Sequence, residues 1–201
     1  MKTITQKTAT LFLICLIALA ITGYAYSHWT DIVTIITTAN MGHLEITIDN
    51  EKVIPPEIGY LKPQTNKSVY IEASIATYWQ VWVGIIIKNK GTLPATITYK
   101  ITTNSPDESY FGNETHFYGP YTTTPPSEVW CDLNQTNPPP PEGEKPTPID
   151  LSVGEKLVVW QKIWVKTTPP SGYTITITSD YFATLGGWQD TVAVVYKLTK
   201  G

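Results

Sequence analysis

Apolar and polar residues alternate along much of the chain, and this period of two is typical of half-buried β-strands. It appears in "HLEITID" and "SVYIEASI", and it recurs in "WQVWVGIIIKN", "PATITYKIT", "GEKLVVWQKIWVK", "GYTITITS" and "DTVAVVYKL". β-Branched residues crowd these segments, and turn sequences such as "KNKGTLP" and "ATLGGWQD" separate them. The pattern predicts an all-β, antiparallel two-sheet sandwich, immunoglobulin-like or jelly-roll-like, over residues 41–201.

One face of each predicted strand is apolar, and we expect these faces to form the core between the two sheets. The opposite faces are mostly polar or small, so we expect them to face solvent. The predicted core positions are Leu44, Ile46, Ile48, Val69, Ile71, Ala73, Ile75, Val81, Val83, Ile85, Ile87, Ala95, Ile97, Tyr99, Ile101, Leu157, Val159, Ile163, Val165, Tyr173, Ile175, Ile177, Val192, Val194, Tyr196 and Leu198.

Residues 104–149 do not follow this alternation of apolar and polar positions. They are rich in Pro, Asn, Thr, Glu and Tyr and end in "NPPPPEGEKPTP". Consecutive prolines adopt polyproline II and cannot join the interior of a sheet. We predict a long insertion between two core strands, with some local structure around "SYFGNETHFYGPY". It is either a surface contact loop or a spacer, and the sequence favours neither.

The first 25 residues have the organisation of an export signal with a signal helix. Lys2 and Lys7 precede the apolar run "LFLICLIALAIT", and small residues permit cleavage after Ala25 or after Ser27. This run is short for a bilayer span, which takes about 20 residues. We expect a secreted, cell-surface protein that meets the membrane only transiently through its signal, with an uncleaved signal anchor as the alternative.

The charge and the cysteine content exclude some classes of binding partner and one source of stability. Removing Lys2 and Lys7 leaves 12 lysines and no arginine against 17 acidic residues, a net charge near −5. Such a chain lacks the cationic surface that binds nucleic acid or an anionic membrane. Cys131 is the one cysteine left after cleavage, so no intramolecular disulfide is expected and stability must come from packing.

Three N-glycosylation sequons fall in polar, turn-like segments. They place candidate glycans at Asn66, Asn113 and Asn134. Threonine is abundant as well, which suits exposed β-faces and permits O-glycosylation. Together these features favour a glycoprotein with a surface location.

Catalytic motifs do not appear in the sequence. His28, His43 and His116 lack HExxH spacing, and no supporting Ser/His/Asp or Cys/His signature occurs. P-loop and GxGxxG motifs are missing too. We therefore predict a protein that is not an enzyme and that carries no cofactor.

Two groups of residues have some metal-binding chemistry. His43 and Glu45 share one strand face, although a solvent-facing polar pair explains them better than a metal site. An oxygen-rich patch in the insertion could hold Ca²⁺ loosely, but it lacks EF-hand spacing and a solvated acidic loop is the favoured interpretation. The patch comprises Asp107, Glu108, Asn113 and Glu114.

Trp160 and Trp164 lie on the same predicted strand face as Lys156, Lys162 and Lys166. Since the other face is apolar, we expect these two indoles to be either exposed or covered by something else. Paired surface aromatics can stack on sugar rings or anchor a protein contact. Cover by the insertion, or a contact with another subunit, is favoured over sugar binding.

The N-terminal half resembles a known family. "AYSHWTD" at the cleavage region is followed by "NMG" and the strand "HLEITI", then by "YLKPQTNKSVYIEASI" and "VGIIIKNKGTLPATITYKI". This order resembles the TasA/camelysin-like group of secreted β-sandwich proteins, and archaeal bundling pilins and other extracellular thread subunits look similar. The resemblance covers residues 20–103. The sequence departs from the group's pattern at Gln64 and Thr65, where the group often has Gly-Asp. The camelysin name suggests a peptidase, but no zinc motif in this sequence supports that activity.

The resemblance implies assembly by donor-strand complementation, in which the N-terminal strand of one subunit completes the sandwich of its neighbour. Residues 26–40 would be that strand, with "HWTDIVTIITTA" (28–39) as its β-branched centre. A head-to-tail contact of this kind forms a fibre, so the partner would be the chain itself. The alternative is that the segment pairs within its own sandwich. The expected polymerisation residues are Trp29, Ile32, Val33, Ile35 and Ile36.

The function expected from the sequence is that of a structural subunit of an extracellular filament or biofilm matrix. The alternative is a monomeric cell-surface module that binds a glycan or a protein through exposed aromatics such as Trp160 and Trp164.

Overall fold

The structure is a computed structural model of the chain, and it describes residues 13–20, 42–54, 60–104, 108–130 and 143–201, with the backbone alone for 60–64 and 108. The chain divides into two units, Met1–Asn40 and Met41–Gly201. In the first unit the described residues, 13–20, form a helix within the predicted signal. The second unit contains the strands.

Ten strands and a short 3-10 helix, Glu108–Tyr110, make up the second unit as far as it is described. The strands are β1 (Ile46–Ile54), β2 (Tyr60–Thr65), β3 (Ser68–Ile75), β4 (Gln80–Asn89), β5 (Ala95–Thr103), β6 (Phe111–Tyr121), β7 (Ile149–Leu151), β8 (Lys156–Val165), β9 (Thr174–Leu185) and β10 (Trp188–Lys200).

These strands form two sheets, which confirms the predicted two-sheet sandwich. One sheet has four strands in the order β1–β4–β8–β6, and the other has six in the order β2–β3–β10–β9–β5–β7. The prediction of purely antiparallel sheets is wrong at one pair, because β3 and β10 run parallel with Val69 opposite Val194. Parallel neighbours need a long connection, and here nearly the whole domain lies between the two strands.

The core between the sheets contains most of the predicted inward positions. Their side chains are buried on both sheets, as a period of two requires. A few predicted core positions are only partly buried or exposed: Leu44, Ala73, Tyr99, Ile101, Val165 and Tyr173. The prediction is therefore correct for most of the inward positions, with exceptions both at strand ends and at Tyr99 in the middle of β5.

The segment 104–149 is only partly an insertion. Phe111–Tyr121 forms β6, which pairs along the edge of β8 from Phe111 opposite Val165 to Tyr121 opposite Lys156, and Ile149–Leu151 forms β7 beside β5. The predicted insertion is therefore too long. The alternation of apolar and polar residues is not visible in the sequence of β6, because one of its inward positions holds a polar residue, Thr115. This residue lies opposite the buried Gln161 of β8 and contacts its amide.

The four-stranded sheet is covered on both faces, contrary to the expectation of one solvent-facing side. On its outer face a second apolar cluster contains Ile54, Ile86, Tyr118, Val158 and Trp160. Val129 and Trp130, from the remaining part of the insertion, pack against this cluster. The central residues of β4 and β8 are consequently buried in an unbroken run rather than alternately.

A buried polar network joins the two sheets inside the core. The Gln161 amide of β8 donates to Ser179 Oγ at 2.7 Å, and Tyr196 OH donates to Gln161 Oε1 at 2.7 Å. Burial raises the pKa of Tyr196, so its hydroxyl stays protonated and remains a donor. Because each of these groups loses water on folding, the network is stable only with all partners in place.

A second polar link closes the side of the sandwich where β1 meets β10. Lys67, in the turn before β3, forms an ion pair with Asp190 of β10, and the Ile46 N–H donates to Asp190 Oδ2 at 2.7 Å. Burial by itself raises the pKa of Asp190, but the hydrogen bonds from Lys67, Ile46 and Thr191 outweigh it and hold this pKa below its usual value. The carboxylate therefore stabilises the fold in its charged form.

We predict that Gln161→Ala lowers the free energy of unfolding by about 3 kcal/mol, because it leaves the Ser179 and Tyr196 hydroxyls without Gln161 and creates a small cavity. Urea unfolding followed by tryptophan fluorescence measures the loss. The matched control is Gln161→Leu combined with Ser179→Ala and Tyr196→Phe, which removes the whole network and should cost less. If the triple variant is no more stable than Gln161→Ala, then unpaired polar groups are not the reason for the lost stability.

We predict that stability falls at acid pH partly through Asp190. A carboxyl whose pKa is lower in the folded state stabilises fully above its unfolded pKa of 3.8 and loses this contribution as pH falls through the folded pKa. Asp190→Asn should therefore destabilise the protein by about 2 kcal/mol at neutral pH and flatten the decline of stability below about pH 4. Thermal unfolding from pH 7 to 2 tests this, and an equally steep decline in the variant would assign the acid sensitivity to other groups.

Candidate functional site

The point where the N-terminal segment joins the sandwich is held by the turn between β4 and β5. The Lys90 and Gly91 N–H groups donate to Glu45 O at 2.8 and 3.0 Å, and the Thr92 N–H donates to His43 O at 2.9 Å. A Cβ on Gly91 would lie 2.5 Å from His43 O, so this close approach needs glycine. The backbone from His43 to Glu45 is thus fixed at one end of the sandwich.

Asn89, at the end of β4, organises this turn. Its side chain is fully buried, and both its nitrogen and its oxygen are hydrogen-bonded. Nδ2 donates to Leu93 O at 2.9 Å and to Leu151 O at 3.0 Å. Oδ1 accepts from the Gly91 N–H at 3.0 Å. The "NKG" sequence is therefore more than a turn signal. It ties β4 to the start of β5 and to the end of β7.

The predicted polymerisation residues lie outside the described part of the chain. This applies to Trp29, Ile32, Val33, Ile35 and Ile36, and to the sequon at Asn134. Their roles stay predictions. All the strands that the structure describes lie between Ile46 and Lys200.

Trp160 is not an exposed contact residue, because its side chain is fully buried. The indole lies above Gly84, where a Cβ would come within 2.7 Å of the ring, and Trp130 packs against it with ring centroids 5.5 Å apart. Its Nε1–H donates to Val129 O at 3.0 Å. Of the interpretations drawn from the sequence, cover by the insertion is the one that this geometry supports for Trp160.

Trp164 lies in a different environment and is only half-buried. Its indole rests on Gly112 of β6, and Lys162 Nζ lies 5.4 Å from its ring centroid. The same ammonium lies 5.2 Å from the Trp82 ring and 3.6 Å from Glu114. The aromatic pair on this outer face is thus Trp82 and Trp164. Sequence reasoning missed Trp82 because its neighbours are set by the pairing of β4 with β8.

Two histidines lie beside carboxylates. His116 Nδ1 is 3.1 Å from Glu144, and its ring lies 5.6 Å from the Trp82 ring centroid. His43 Nε2 is 3.4 Å from Glu45, and both side chains are solvent-exposed. Within the described residues no group of three or more His, Cys, Asp or Glu side chains could hold a metal ion. Asp107 of the expected calcium patch lies outside them.

Two of the sequons are described, and both asparagines are exposed. Asn66 lies in the turn between β2 and β3, and Asn113 lies in β6. Their modification stays a prediction. None of the helices described has the length and apolar character to cross a membrane.

The fold and these surfaces define an all-β sandwich with a fixed N-terminal attachment point. No family model matches the chain, and no curated protein matches it. Membership of the TasA/camelysin-like group therefore remains a resemblance.

Three solved structures are similar to this chain over about three quarters of its length. The N-terminal domain of PorA is 15% identical over 78% of this chain and 99% of that domain, with a TM-score of 0.36. The CooA pilin subunit from enterotoxigenic Escherichia coli is 7% identical over 75% and 98%, with a TM-score of 0.33. A family 123 glycoside hydrolase from Clostridium perfringens is 7% identical over 76% of this chain and 27% of the enzyme, with a TM-score of 0.36. Such low scores and identities carry no conclusion about function.

We predict that Trp160→Ala lowers the free energy of unfolding by about 4 kcal/mol, because it empties a buried site between Gly84 and Trp130. Trp164→Ala is the matched variant on the same strand face and should cost clearly less, since Trp164 is half-buried. Urea unfolding of both variants measures the difference. Equal losses would show that the cover over Trp160 contributes little to stability.

Proposed function

We propose that the chain is a secreted, non-enzymatic structural subunit that forms an extracellular filament by donating residues 28–39 to a neighbouring copy. The observation that carries this proposal is the position of the attachment point. The apolar segment ends at Ala39, three residues before Gly42, and His43–Glu45 are bonded to the β4–β5 turn at one end of the sandwich.

The chemistry of the segment supports the same function. Residues 28–39 contain four β-branched aliphatic residues, one tryptophan and one charged side chain, Asp31. An exposed strand of this kind would favour association, because its main-chain groups are not paired with another strand and its apolar side chains are in contact with water. Inserting it into another subunit would satisfy both. Burying roughly 400 Å² of apolar surface contributes on the order of 10 kcal/mol before the costs of association.

The geometry of such a contact determines the type of assembly. The donated strand and the surface that receives it are different parts of the molecule, so the interface is heterologous. Heterologous contacts continue from subunit to subunit unless a rotation closes them into a ring. We therefore infer a homopolymeric filament at the cell surface.

A second candidate function is a monomeric surface module that binds a glycan or a protein. The observation that favours it is the outer-face pair Trp82 and Trp164, which flanks Lys162 and Glu114. Half-exposed indoles beside a charged pair suit a sugar ring as well as a protein contact. In this role Trp82 replaces the buried Trp160.

We predict that the chain beginning at Tyr26 forms fibres visible by negative-stain electron microscopy, whereas a chain beginning at Met41 stays soluble and unassembled. Only the longer chain carries the donor segment. Fibres from both chains would show that another surface drives assembly. Monomers from both would end the filament proposal and leave the Trp82–Trp164 surface to be tested for ligands.

A matched pair of variants sharpens this experiment. Ile35→Asp places a charge on an apolar position of the donor segment, and Thr37→Asp places the same charge on a polar position of the same strand face. Fibre formation should be lost in the first variant and kept in the second.

A further inference from the structure

We propose that Asn113 carries an N-linked glycan whose first sugar packs into the cavity at the start of β6, so that this sugar becomes a structural part of the domain. The inference goes beyond the filament proposal and does not depend on it. It joins two independent observations: Asn113 begins a sequon in the sequence, and the same asparagine lines a cavity in the structure.

The cavity lies at the end of the sandwich opposite the Asn89 turn. Its lining includes Phe111–Asn113 of β6, and this part of β6 pairs with the end of β8, next to the start of β4 at Gln80. The cavity has a volume of 430 Å³. Small-molecule sites in proteins have volumes of about 300–1,000 Å³, so there is room for a single pyranose ring.

The lining of the cavity is mixed, which suits a sugar better than an apolar ligand. Its apolar part is formed by Ile101, Phe111, Ile175 and Ile177. Most of the other lining residues are polar, and they include the exposed Lys166. A pyranose has carbon-bound hydrogens on its faces and hydroxyl groups around its edge, so one ring can contact both kinds of surface at once.

The pairing of β6 with β8 directs Asn113 toward this cavity. Asn113 lies opposite Ile163, and residues directly opposite each other in an antiparallel pair point to the same face of the sheet. Ile163 is fully buried in the core between the two sheets. Asn113 therefore points to the core side of its sheet, and it is exposed because β6 is an edge strand. A glycan attached there begins at the cavity.

The attachment point is also well fixed. β6 pairs with β8 without a register shift from Phe111 to Tyr118, and the Lys166 N–H donates to Tyr110 O at 2.7 Å. A sugar tethered to a fixed strand loses little further freedom when it occupies the adjacent cavity, because the covalent bond already holds it there.

The sequon at Asn66 offers a matched comparison within the same chain. Asn66 lies in the turn between β2 and β3, its side chain is exposed, and it does not line this cavity. A sugar on Asn66 would therefore remain in solvent, whereas a sugar on Asn113 replaces water next to Ile101, which is only partly buried. The two sites should differ in their effect on stability and in how accessible their glycans are.

The test uses the full chain secreted from a eukaryotic host that adds N-linked glycans. One version keeps only the sequon at Asn113 and another keeps only the sequon at Asn66, and Asn134→Gln is present in both. An endoglycosidase that cleaves after the first sugar leaves one N-acetylglucosamine on each chain. The same chains made in a host without N-glycosylation are the references. The sugar on Asn113 should raise Tm by about 3 °C, and the sugar on Asn66 should leave Tm unchanged.

A pair of variants tests whether the sugar acts through the cavity. Ile101→Ala removes part of the apolar wall, whereas Thr102→Ala changes the next residue of β5, which is exposed and does not line the cavity. The rise in Tm caused by the sugar on Asn113 should largely disappear in Ile101→Ala and persist in Thr102→Ala. Each rise compares modified and unmodified chains of the same sequence, so the effect of the substitution itself is subtracted.

The rate of endoglycosidase cleavage gives an independent readout. In the folded protein the glycan on Asn113 should be cleaved several-fold more slowly than the glycan on Asn66, because the domain covers its first sugar. After denaturation the two rates should be equal.

Three results would overturn the inference: a sugar on Asn113 that stabilises no more than one on Asn66, equal cleavage rates in the folded protein, or a secreted chain that is modified at Asn66 and unmodified at Asn113. None of them bears on the filament proposal, which electron microscopy of the chain from Tyr26 tests separately.

Discussion

The buried amide of Asn89 is the interaction on which one end of the sandwich depends. A buried amide without partners would cost free energy, and here both ends of the side chain are satisfied by main-chain groups of Gly91, Leu93 and Leu151. The backbone of Asn89 is bonded as well, since its N–H donates to Glu155 O at 3.1 Å and its carbonyl accepts from Gly154 at 2.9 Å. One residue therefore fixes the turn to which the backbone of His43–Glu45 is hydrogen-bonded.

Polar contacts also make the two sides of the sandwich unequal. The Gln161–Ser179–Tyr196 network sets how the sheets face each other, and the Lys67–Asp190 link ties them on the β1 side. On the β6 side the two sheets meet through aromatic rings instead, with the Tyr99 and Phe117 ring centroids 5.2 Å apart. The second apolar cluster, around Trp160, covers part of the outer face of the four-stranded sheet.

Much of the fold could be predicted from alternation along individual strands, since Val81, Val83, Ile85 and Ile87 are buried as their period indicates. The same reasoning failed for β6, where Thr115 stands at an inward position that only its contact with Gln161 explains. Alternation alone left open whether Trp160 is exposed or covered, and in the structure Trp130 from the predicted insertion covers it. In each case the partner that decides burial is remote in sequence.

The sequence by itself determined the local elements: the strands, the turns between them, the export signal expected at the N-terminus and the acidic, arginine-free surface. These follow from short-range stereochemistry and composition, which a single segment carries within itself. Only the tertiary structure decided the order of strands in the sheets, the parallel pair of β3 and β10 and the cover over Trp160. Those features depend on which distant segments pair, and that choice is made by packing and hydrogen bonding across the whole domain rather than by any one stretch of chain.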